Sequence, residues 1–361
     1  MKALVYHGQK DVRYENISEP SELGPKEVRL KVKYAGLCHT DFNEYLRGPL
    51  FVARTPHPRT GRSIPLVMGH EFSGEVVEIG AAVGHIRVGD RVAVNAVDSC
   101  GQCAYCRRGT PALCQSVAYV GFGRDGGFAE FTVLPEACCF RLGPEMPFQT
   151  GALVEPLAVA LHAVKRARVD IGSTAAIVGG GAVGLCVLQA LRATGVRDVL
   201  VIDKIEAKQL VAKRLGASAF LNALDPDLLQ KVQRLTDGMG VHMAFECVGS
   251  VSAMRTALDV TRGGGTLCVV GIFPEPFEFD FNLLLMQEKN IVTSLGYSDE
   301  FPTVIAMLAD GRLDAAPLIT RIISLAEGVE IGLLEYERNR ATDIRTLIGV
   351  ESPAEVKNSS L

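Results

Sequence analysis

The stretch of sequence that decides the fold reads Val178-Gly179-Gly180-Gly181-Ala182-Val183-Gly184. It follows a short apolar run and leads into a helical pattern of leucines at every third position. Its G-x-G-x-x-G spacing lets the chain turn tightly and brings backbone amides close to a pyrophosphate, which a helix N-terminus favours electrostatically. The stretch therefore predicts a strand, a turn and a helix that bind a dinucleotide through Gly179, Gly181, Val183 and Gly184.

An acidic residue at the end of the next apolar run supports this interpretation. Asp203 stands where a carboxylate can hold both ribose hydroxyls of NAD. The alternative role for Asp203 is an ordinary helix N-cap before Glu206. A carboxylate repels a 2′-phosphate, so we expect NAD rather than NADP, although the neighbouring Lys204 is positive.

The chain around this turn alternates between apolar runs and amphipathic helices. Apolar runs cover residues 175–178, 199–202, 243–247 and 266–270, and the helical stretch 206–215 separates two of them. Continuous apolar strands alternating with such helices are typical of a parallel sheet covered on both faces. Residues 156–296 are therefore predicted to form a doubly wound, Rossmann-type α/β domain.

The first part of the chain has a different hydrophobic pattern. Short alternating runs at residues 27–34, 72–79, 91–94 and 128–134 are separated by glycine turns, which predicts a β-rich, barrel-like domain. After residue 296 the pattern loosens, with a helix expected at 301–308, a strand at 347–350 and a loose polar ending at 352–361.

Length and charge limit the classes of function. A chain of 361 residues suggests two domains, and a net charge of -4 argues against a nucleic-acid partner. The first residues turn polar too soon for a signal peptide, and the glycines within the apolar segment 174–191 argue against a membrane span. The last three residues lack the basic residue of a peroxisomal address. We therefore expect a cytoplasmic protein without a membrane partner.

Four cysteines form the strongest local motif. Cys100, Cys103, Cys106 and Cys114 have the spacing C-x2-C-x2-C-x7-C, and a closed set of four thiolates is typical of a structural zinc site. The residues between them are polar loop residues, which argues against four cysteines in a hydrophobic core. An iron–sulfur cluster uses the same ligands, and the spacing does not separate the two. The net negative charge of the chain argues against a zinc-ribbon module that binds nucleic acid.

A second set of residues suggests a catalytic zinc. Cys38 supplies a thiolate and His70 an imidazole, while Glu71 and Glu155 compete for the role of carboxylate ligand. Together with NAD, a zinc that keeps one open position polarises an alcohol oxygen and favours hydride transfer to the nicotinamide. The hydroxyl of Thr40 is a candidate for taking the substrate proton.

At this point the sequence resembles the zinc-dependent medium-chain alcohol dehydrogenases over nearly its whole length. Within them it is similar to the 2,3-butanediol dehydrogenase branch, close to the sorbitol dehydrogenases. The resemblance is carried by residues 66–74 and by the stretches Asn43-Glu44-Tyr45-Leu46-Arg47-Gly48-Pro49-Leu50-Phe51, Ala152-Leu153-Val154-Glu155-Pro156 and Gly271-Ile272-Phe273.

The resemblance implies a GroES-like catalytic domain at residues 1–155, completed by 297–361, with the cofactor domain 156–296 inserted between them. It also implies two zinc ions per chain, one catalytic and one structural. The implied catalytic zinc ligands are Cys38, His70 and a glutamate. The implied structural ligands are the four cysteines. Asp203 and Lys208 would face the adenosine ribose, and Val248 and Val270 would lie along the cofactor.

Two positions depart from the branch. His39 follows the first ligand where the branch usually has glycine, as in simple alcohol dehydrogenases, in which that position reaches the cofactor phosphates. Asn43 stands where the family commonly has a histidine that passes the proton onward, and an amide cannot titrate near neutral pH. We expect the proton to leave through the ribose and water, or through Glu44. Thr40, His39 and Glu71 are thus the candidate catalytic residues.

The sequence as a whole predicts an NAD-dependent zinc dehydrogenase that interconverts a vicinal diol or secondary alcohol with its ketone, above all 2,3-butanediol with acetoin. The first alternative is a polyol dehydrogenase acting on sorbitol or xylitol. The alternative from another class is a family member without catalysis that serves as a binding protein. The apolar run 291–295 suggests pairing across a twofold axis, so we expect a homodimer or homotetramer.

Overall fold

The structure is a computed structural model that describes residues 1–350, and the chain forms two compact units. The first comprises Met1–Glu155, Phe301–Ala309 and the chain from Ile319 onward, and the second comprises Pro156–Glu300 and Asp310–Leu318. The predicted loose ending at 352–361 lies outside the described residues.

The compact units differ from the predicted domain boundaries at residues 297–300 and 310–318, which belong to the second unit. There the Asp314 N–H donates to Oε1 of the buried Gln189 at 2.7 Å, which ties this short segment to the second unit. Because compactness alone does not define a domain, the boundaries stay a prediction.

The second unit contains a parallel sheet of six strands. Each strand pairs in parallel with its neighbour, with Ile177 opposite both Val201 and Phe245. The spatial order follows the doubly wound dinucleotide-binding pattern, so the predicted α/β class is confirmed. The strands in spatial order are Ala219–Asn222, Asp198–Asp203, Thr174–Val178, Val241–Glu246, Thr261–Val269 and Asn290–Thr293.

Amphipathic helices connect these strands, and their apolar faces join the strands in one buried cluster that includes Ala176, Leu200 and Ala257. The stretch predicted as one helix at 206–215 divides into a 3-10 turn, Glu206–Lys208, and a helix, Gln209–Arg214. The other helices associated with this part of the chain are Val154–Ala167, Ala182–Ala193, Leu228–Leu235, Val251–Val260 and Asn282–Leu285, with a 3-10 turn at Ala316–Leu318.

The glycine turn after Thr174–Val178 requires glycine for two different reasons. Gly179 has a φ of 107°, a conformation that residues with a Cβ rarely adopt. A Cβ on Gly184 would lie 1.8 Å from the carbonyl oxygen of Gly179. Gly179 therefore allows the turn, and the missing side chain of Gly184 allows the helix Ala182–Ala193 to approach the preceding strand.

The first unit is built mainly from antiparallel strands. Glu27–Leu37 is its longest strand and pairs with three others, Glu71–Ile79, Phe131–Pro135 and Arg345–Gly349. The large sheet also contains Arg91–Val94, Cys139–Arg141 and Ile319–Ser324. Smaller sheets contain Lys2–Gly8, Asp11–Asn16 and Leu66–Val67, and Val97–Asp98 with Ala118–Tyr119.

The predicted strand at 128–134 begins only at Phe131. The N–H of Phe128 donates to the carbonyl of Met68, and the carbonyl of Phe128 accepts the N–H of Leu4, so Phe128 bonds to other segments. Helical segments are short. They are His39–Arg47, Ala104–Arg107, Phe148–Ala152, Glu300–Ala309 and Tyr336–Asn339, the 3-10 turns Pro111–Leu113, Glu136–Cys138 and Leu325–Glu327, and the π-helix Gly328–Leu334. Among residues 1–350, no helix is long and apolar enough to cross a membrane.

The contact between Gly184 and Gly179 gives a test of the fold. We expect Gly184→Ala to lower the free energy of unfolding by about 2 kcal/mol or more, because the added methyl group meets backbone. Gly181→Ala is the matched control, since a Cβ there meets nothing within 4 Å. Because Gly181 is the N-cap of Ala182–Ala193 and alanine is a poorer N-cap residue, this control should cost no more than about 1 kcal/mol. Equal stability of both variants in urea denaturation would contradict this account.

Candidate active site and metal centres

The helix His39–Arg47 begins at Cys38, its N-cap residue. The N–H of Cys38 donates to Oδ2 of Asp41 at 3.0 Å, which fixes the backbone that carries the thiol. A helix N-terminus also stabilises negative charge, so the position suits a thiolate. Cys38 is therefore presented by a rigid element whose first turn favours its ligand form.

His70 precedes the strand Glu71–Ile79, and its ring faces the same carboxylate. Nδ1 of His70 lies 3.3 Å from Oδ1 of Asp41, which is fully buried. Nδ1 thus faces the carboxylate, and Nε2 is the ring atom left for a metal, an arrangement common for histidine ligands. The sequence analysis missed Asp41. Its signal was an acidic residue three positions after a cysteine N-cap.

The electrostatic surroundings of His70 favour a positive charge at this place. Burial lowers the pKa of the His70 ring, but the charges of Asp41 and Cys38 and the polar contacts with both raise it by a larger amount. The net result is a pKa well above the ordinary histidine value. A buried position that favours a cation between a carboxylate, a thiol and an imidazole fits a divalent metal.

Three of the predicted ligands come together. One donor atom each from Cys38, His70 and Glu71 lies within 4.8 Å of the other two. Zinc bonds of about 2.0–2.3 Å place tetrahedral ligands roughly 3.3–3.8 Å apart, so small movements would close this set on one ion. A thiolate, an imidazole and a carboxylate also match the ligand types of catalytic zinc sites.

Glu71 is almost completely buried, with 1% of its surface exposed. Its Oε2 lies 3.2 Å from Nη1 of Arg345, but without the alignment of a hydrogen bond. The same guanidinium group donates to the carbonyl of Leu37 at 2.9 Å. Arg345, another residue that the sequence analysis missed, therefore offsets part of the negative charge of the donor set.

Glu155 lies outside the set formed by Cys38, His70 and Glu71 among the described residues. It is buried in the first turn of Val154–Ala167. Its charge helps to raise the pKa of Tyr119, after burial and the charge of Cys114. The geometry thus favours Glu71 over Glu155 as the carboxylate ligand.

The two residues after Cys38 differ in their surroundings. Oγ1 of Thr40 lies 3.6 Å from Sγ of Cys38, so its hydroxyl is beside the donor set. The ring of His39 packs instead near Tyr336 and Phe42, with ring centroids 5.5 and 5.8 Å away. Burial, followed by the charge of Arg340, lowers the pKa of His39. The hydroxyl of Thr40 thus lies beside the thiol of Cys38, whereas the ring of His39 packs among aromatic side chains.

The suggested proton route through Glu44 needs correction. Both oxygens of its carboxylate accept backbone N–H groups, from Leu50 at 2.9 Å, Phe51 at 2.9 Å and Val52 at 3.2 Å. Glu44 is fully buried and holds a loop by these bonds. The route through the ribose and water stays a prediction.

The four clustered cysteines lie at distances that suit one ion. Sγ of Cys106 is 3.5 Å from that of Cys103 and 3.9 Å from that of Cys100, and all four sulfurs lie within 4.8 Å of one another. Tetrahedral zinc with bonds of about 2.3 Å requires a separation of roughly 3.8 Å. A 4Fe–4S cluster would hold each thiolate on a different iron, and a 2Fe–2S cluster would hold two on each, so either would spread the four sulfurs further apart. The geometry therefore favours a single zinc over the cluster.

Residues 100–114, which carry the four cysteines, form the cysteine lobe. Backbone hydrogen bonds to sulfur favour thiolates within it. The N–H of Cys103 donates to Sγ of Cys100, and the N–H of Cys100 donates to Sγ of Cys114, both at 3.4 Å. A bond from the Cys106 backbone is the main cause that lowers the pKa of Cys103 to about 6. Cys103 is thus favoured as the thiolate that binds a metal, whereas burial raises the pKa of Cys106.

An arginine from a distant loop fastens the cysteine lobe at both ends. Nη1 of Arg59 donates to the carbonyl oxygens of Asp98 at 2.6 Å and Ser116 at 3.1 Å, just outside the first and last cysteines. Nη2 of Arg59 also bonds to Oδ1 of Asp98 at 2.5 Å. No motif marks Arg59 in the sequence, because this residue is far from both partners along the chain.

In the second unit, Asp203 holds the glycine turn. Its carboxylate accepts the N–H of Gly180 at 2.6 Å and that of Ile205 at 2.8 Å, and Nζ of Lys208 lies 3.4 Å away. The N-cap of Glu206–Lys208 is Ile205, so the alternative role of Asp203 as N-cap is wrong. The pair of Asp203 and Lys208 marks the end of the strand where a ribose would bind.

The start of Ala182–Ala193 leaves space for an anionic group. A Cβ on Gly181 would meet nothing within 4 Å, and Val183 lies half-buried in the first turn. The first N–H groups of a helix have no partner within it, and they attract phosphate. The glycine turn therefore fits the pyrophosphate of a dinucleotide.

Two further strand ends are fastened together by Glu246. Its Oε1 accepts the N–H groups of Val248 at 2.9 Å and Gly249 at 2.8 Å, while its backbone carbonyl accepts that of Val270 at 2.9 Å. Burial raises the pKa of Glu246 despite these bonds. Val248, predicted along the cofactor, thus sits on a loop held by this buried carboxylate, and Val270 is held by the backbone carbonyl of the same residue.

Comparison with known proteins agrees with this arrangement. The family model described as "Alcohol dehydrogenase GroES-like domain" matches residues 24–144, and the model described as "Zinc-binding dehydrogenase" matches residues 182–310. The (R,R)-butanediol dehydrogenase of Bacillus subtilis (strain 168) is 37% identical over 334 residues, covering 92% of this chain and 95% of that protein. A sorbitol dehydrogenase of the same organism is 32% identical over 333 residues, covering 91% of each.

Solved structures show the same likeness. The crystal structure of 2R,3R-butanediol dehydrogenase from Bacillus subtilis superimposes with a TM-score of 0.89 at 35% identity, covering 97% of this chain and 99% of that one. A zinc-binding dehydrogenase from Sinorhizobium meliloti 1021 bound to NADP has a TM-score of 0.84 at 28% identity, with coverage of 97% and 99%. An alcohol dehydrogenase from Escherichia coli CFT073 complexed with NADH has a TM-score of 0.85 at 27% identity, again with coverage of 97% and 99%.

The predicted family and enzyme class are thereby confirmed. Sequence and structural likeness extend over more than nine-tenths of the chain. They include both the β-rich part with the four clustered cysteines and the parallel sheet. The chain therefore belongs to the zinc-type medium-chain alcohol dehydrogenases, oxidoreductases with a GroES-like domain and a Rossmann-like domain that use a nicotinamide dinucleotide.

Proposed function

We propose that this enzyme uses NAD to oxidise a vicinal diol, 2,3-butanediol, to the hydroxyketone acetoin, and catalyses the reverse reduction. The observation that carries the proposal is the donor set of the half-buried Cys38 with the buried His70 and Glu71. The likeness to butanediol dehydrogenases supports this choice of substrate. In the oxidation the alcohol carbon gives a hydride to the nicotinamide, and the alcohol oxygen loses a proton.

Cys38, His70 and Glu71 would hold the catalytic zinc, and Asp41 would orient the first two. A zinc ion bound there supplies Lewis-acid polarisation of the alcohol oxygen. Oγ1 of Thr40, beside Cys38, is placed to accept the proton of an alcohol held at these ligands. The cysteine lobe would hold the second, structural zinc.

The surroundings of His70 favour a substrate with an apolar end. The ring of Phe122 packs against His70 with centroids 5.0 Å apart, and Phe51 packs against Phe122 at 5.6 Å. An aromatic surface suits the methyl groups of butanediol, whereas each hydroxyl of a polyol needs a polar partner when it leaves water. This contrast favours the diol over sorbitol or xylitol.

Asp203 supports NAD as the cofactor. Its carboxylate is held at the end of Asp198–Asp203, where a 2′-phosphate would be repelled. Lys208 at 3.4 Å offsets part of that charge, and relatives of known structure bind either cofactor. We therefore expect a preference for NAD rather than complete exclusion of NADP.

The substrate is tested by measuring NADH formation with the butanediol stereoisomers, sorbitol, xylitol and threonine side by side. We expect kcat/KM for the best butanediol isomer to exceed that for sorbitol by at least about tenfold, because Phe51 and Phe122 form an aromatic surface beside His70. With the same diol, NAD should be preferred to NADP. A higher kcat/KM for sorbitol would establish the polyol alternative, and no turnover of any alcohol by zinc-loaded protein would support the binding-protein alternative.

Metal analysis of variants tests the two zinc sites separately. We expect two zinc ions per chain in the unmodified protein. Cys38→Ser should lose one ion and nearly all activity with little change in Tm, since the loss is confined to an open site. Cys106→Ser should lose the other ion and several degrees of Tm, because a structural zinc contributes to folding. One zinc in the unmodified protein, or iron in the cysteine lobe, would contradict the assignment.

We also propose that two chains pair through the sheet edge at Asn290–Thr293. This edge strand is bonded to Thr261–Val269 on one side, and the nearby side chains of Phe281, Leu285 and Met286 are 72%, 72% and 80% exposed. An unpaired edge beside apolar side chains is typical of an interface. A twofold axis at this edge would extend the sheet and bury those side chains.

Light scattering after size-exclusion chromatography tests this pairing. We expect the unmodified protein to be at least dimeric, and Met286→Glu to shift it toward monomer because a charge would enter the interface. Leu210→Glu, a substitution at a comparably exposed leucine elsewhere in the second unit, is the matched control. The proposal fails if the unmodified protein is a monomer, or if both variants keep the same oligomeric state.

A further inference from the structure

Glu44 is a fully buried acid in the helix that begins at Cys38. Its carboxylate accepts three consecutive backbone N–H groups, from Leu50, Phe51 and Val52. Three successive amides around one anion form a tight nest, which fixes the backbone that supplies them. One side chain thus determines the course of residues 50–52.

The turn between the helix and this loop is packed closely around the same side chain. A Cβ on Gly48 would lie 2.5 Å from the hydroxyl of Tyr6 and 2.9 Å from Oε1 of Glu44. Burial and then the charge of Glu44 raise the pKa of the buried Tyr6 to about 12. The surroundings leave little room for the loop to take another path.

The loop carries an aromatic side chain toward the catalytic residues. Val52 is buried, which anchors the loop, whereas Phe51 is 46% exposed. The ring of Phe51 meets Phe122, and Phe122 meets His70. A movement of the backbone at Phe51 would therefore change the wall beside a proposed zinc ligand.

We propose that Glu44 is a positioning residue for substrate binding: it holds residues 50–52 so that Phe51 and Phe122 form an apolar wall beside His70. The proposal rests on the proposed function, because the wall is assigned to an alcohol substrate. The helix His39–Arg47 would then serve the site twice. Its start carries Cys38 and Thr40, and a later turn fixes the surface that the carbon chain of the substrate meets.

The chemistry of the nest makes Glu44→Gln a sharp test. A carboxylate offers acceptors only, whereas the amide of glutamine turns an NH₂ group toward backbone N–H groups that are themselves donors. The variant keeps the size of the side chain but loses part of the nest. Glu44→Asp, which keeps the charge but shortens the side chain, serves if the glutamine variant fails to fold.

The first measurement is amide hydrogen exchange of residues 50–52, which needs no substrate. We expect Glu44→Gln to increase exchange there by at least about tenfold, with little change in the first turn of the helix at Thr40 and Asp41. The matched control is Glu300→Gln in the second unit, where another buried carboxylate accepts the N–H of Ser298. That control should leave exchange at residues 50–52 unchanged.

The second measurement is steady-state kinetics with the best alcohol substrate. Glu44→Gln should raise KM by about fivefold or more while kcat changes by less than about twofold, because the wall contributes to binding rather than to chemistry. Phe51→Ala should have a similar effect. The double variant should be no worse than the stronger single variant, since both changes act on the same wall.

Three results would overturn the proposal. The first is unchanged exchange at residues 50–52. The second is a fall of kcat in Glu44→Gln as large as the fall of kcat/KM, and the third is additive effects of Glu44→Gln and Phe51→Ala on KM. If butanediol is not a substrate but another alcohol is, the exchange result and the non-additivity still decide the role of Glu44. If no alcohol is oxidised while exchange changes as expected, the substrate role fails and only the loop contact remains.

Discussion

The Asp41 carboxylate is the contact on which the candidate active site depends. One oxygen accepts the N–H of Cys38 and the other faces Nδ1 of His70, so a single buried charge determines the positions of residues from a helix and from a strand end. Burying a charge is costly unless it is satisfied, and here both oxygens face a donor or a partly positive ring. Without Asp41, Cys38 and His70 would keep their places in the chain but lose their common orientation.

Other buried acids in this enzyme solve the same problem with backbone N–H groups. Glu44 holds the loop at 50–52, Asp203 holds the glycine turn and Glu246 holds the strand ends near Val248. A carboxylate that accepts several N–H groups compensates its own desolvation and fixes the backbone at the same time. In each case the segment that it fixes carries residues proposed to meet substrate or cofactor. Buried charge thus acts here mainly as a means of shaping loops.

The sequence predicted the features that local chemistry determines. The glycine turn predicted a strand, a turn and a helix, because Gly179 and Gly184 are required by the backbone geometry of such a turn. The apolar runs that alternate with amphipathic helices predicted the parallel sheet. The spacing of Cys100, Cys103 and Cys106 predicted a cluster, because residues so close along the chain can reach one ion. Cys38 and His70 were found through their chemistry and the family resemblance.

The sequence failed where partners are distant or where several roles suit one residue type. Arg345 reaches Glu71 from the far end of the chain, and Arg59 reaches the cysteine lobe across many residues. Neither has a motif, since an ion pair formed by folding leaves no pattern in the spacing. Glu44 was mistaken for a proton carrier, because an acid near a zinc ligand suits both roles until its hydrogen bonds are known.

The attachment of the cysteine lobe by Arg59 has a consequence for how this chain can tolerate changes within the lobe. Because the guanidinium group bonds just outside both ends of the lobe, the points where the chain enters and leaves it are fixed independently of what lies between them. Changes of length or composition within the lobe would then be absorbed locally, without altering the β-rich scaffold. The lobe can therefore change in length or composition while its two attachment points stay in place, because Arg59 bonds to both.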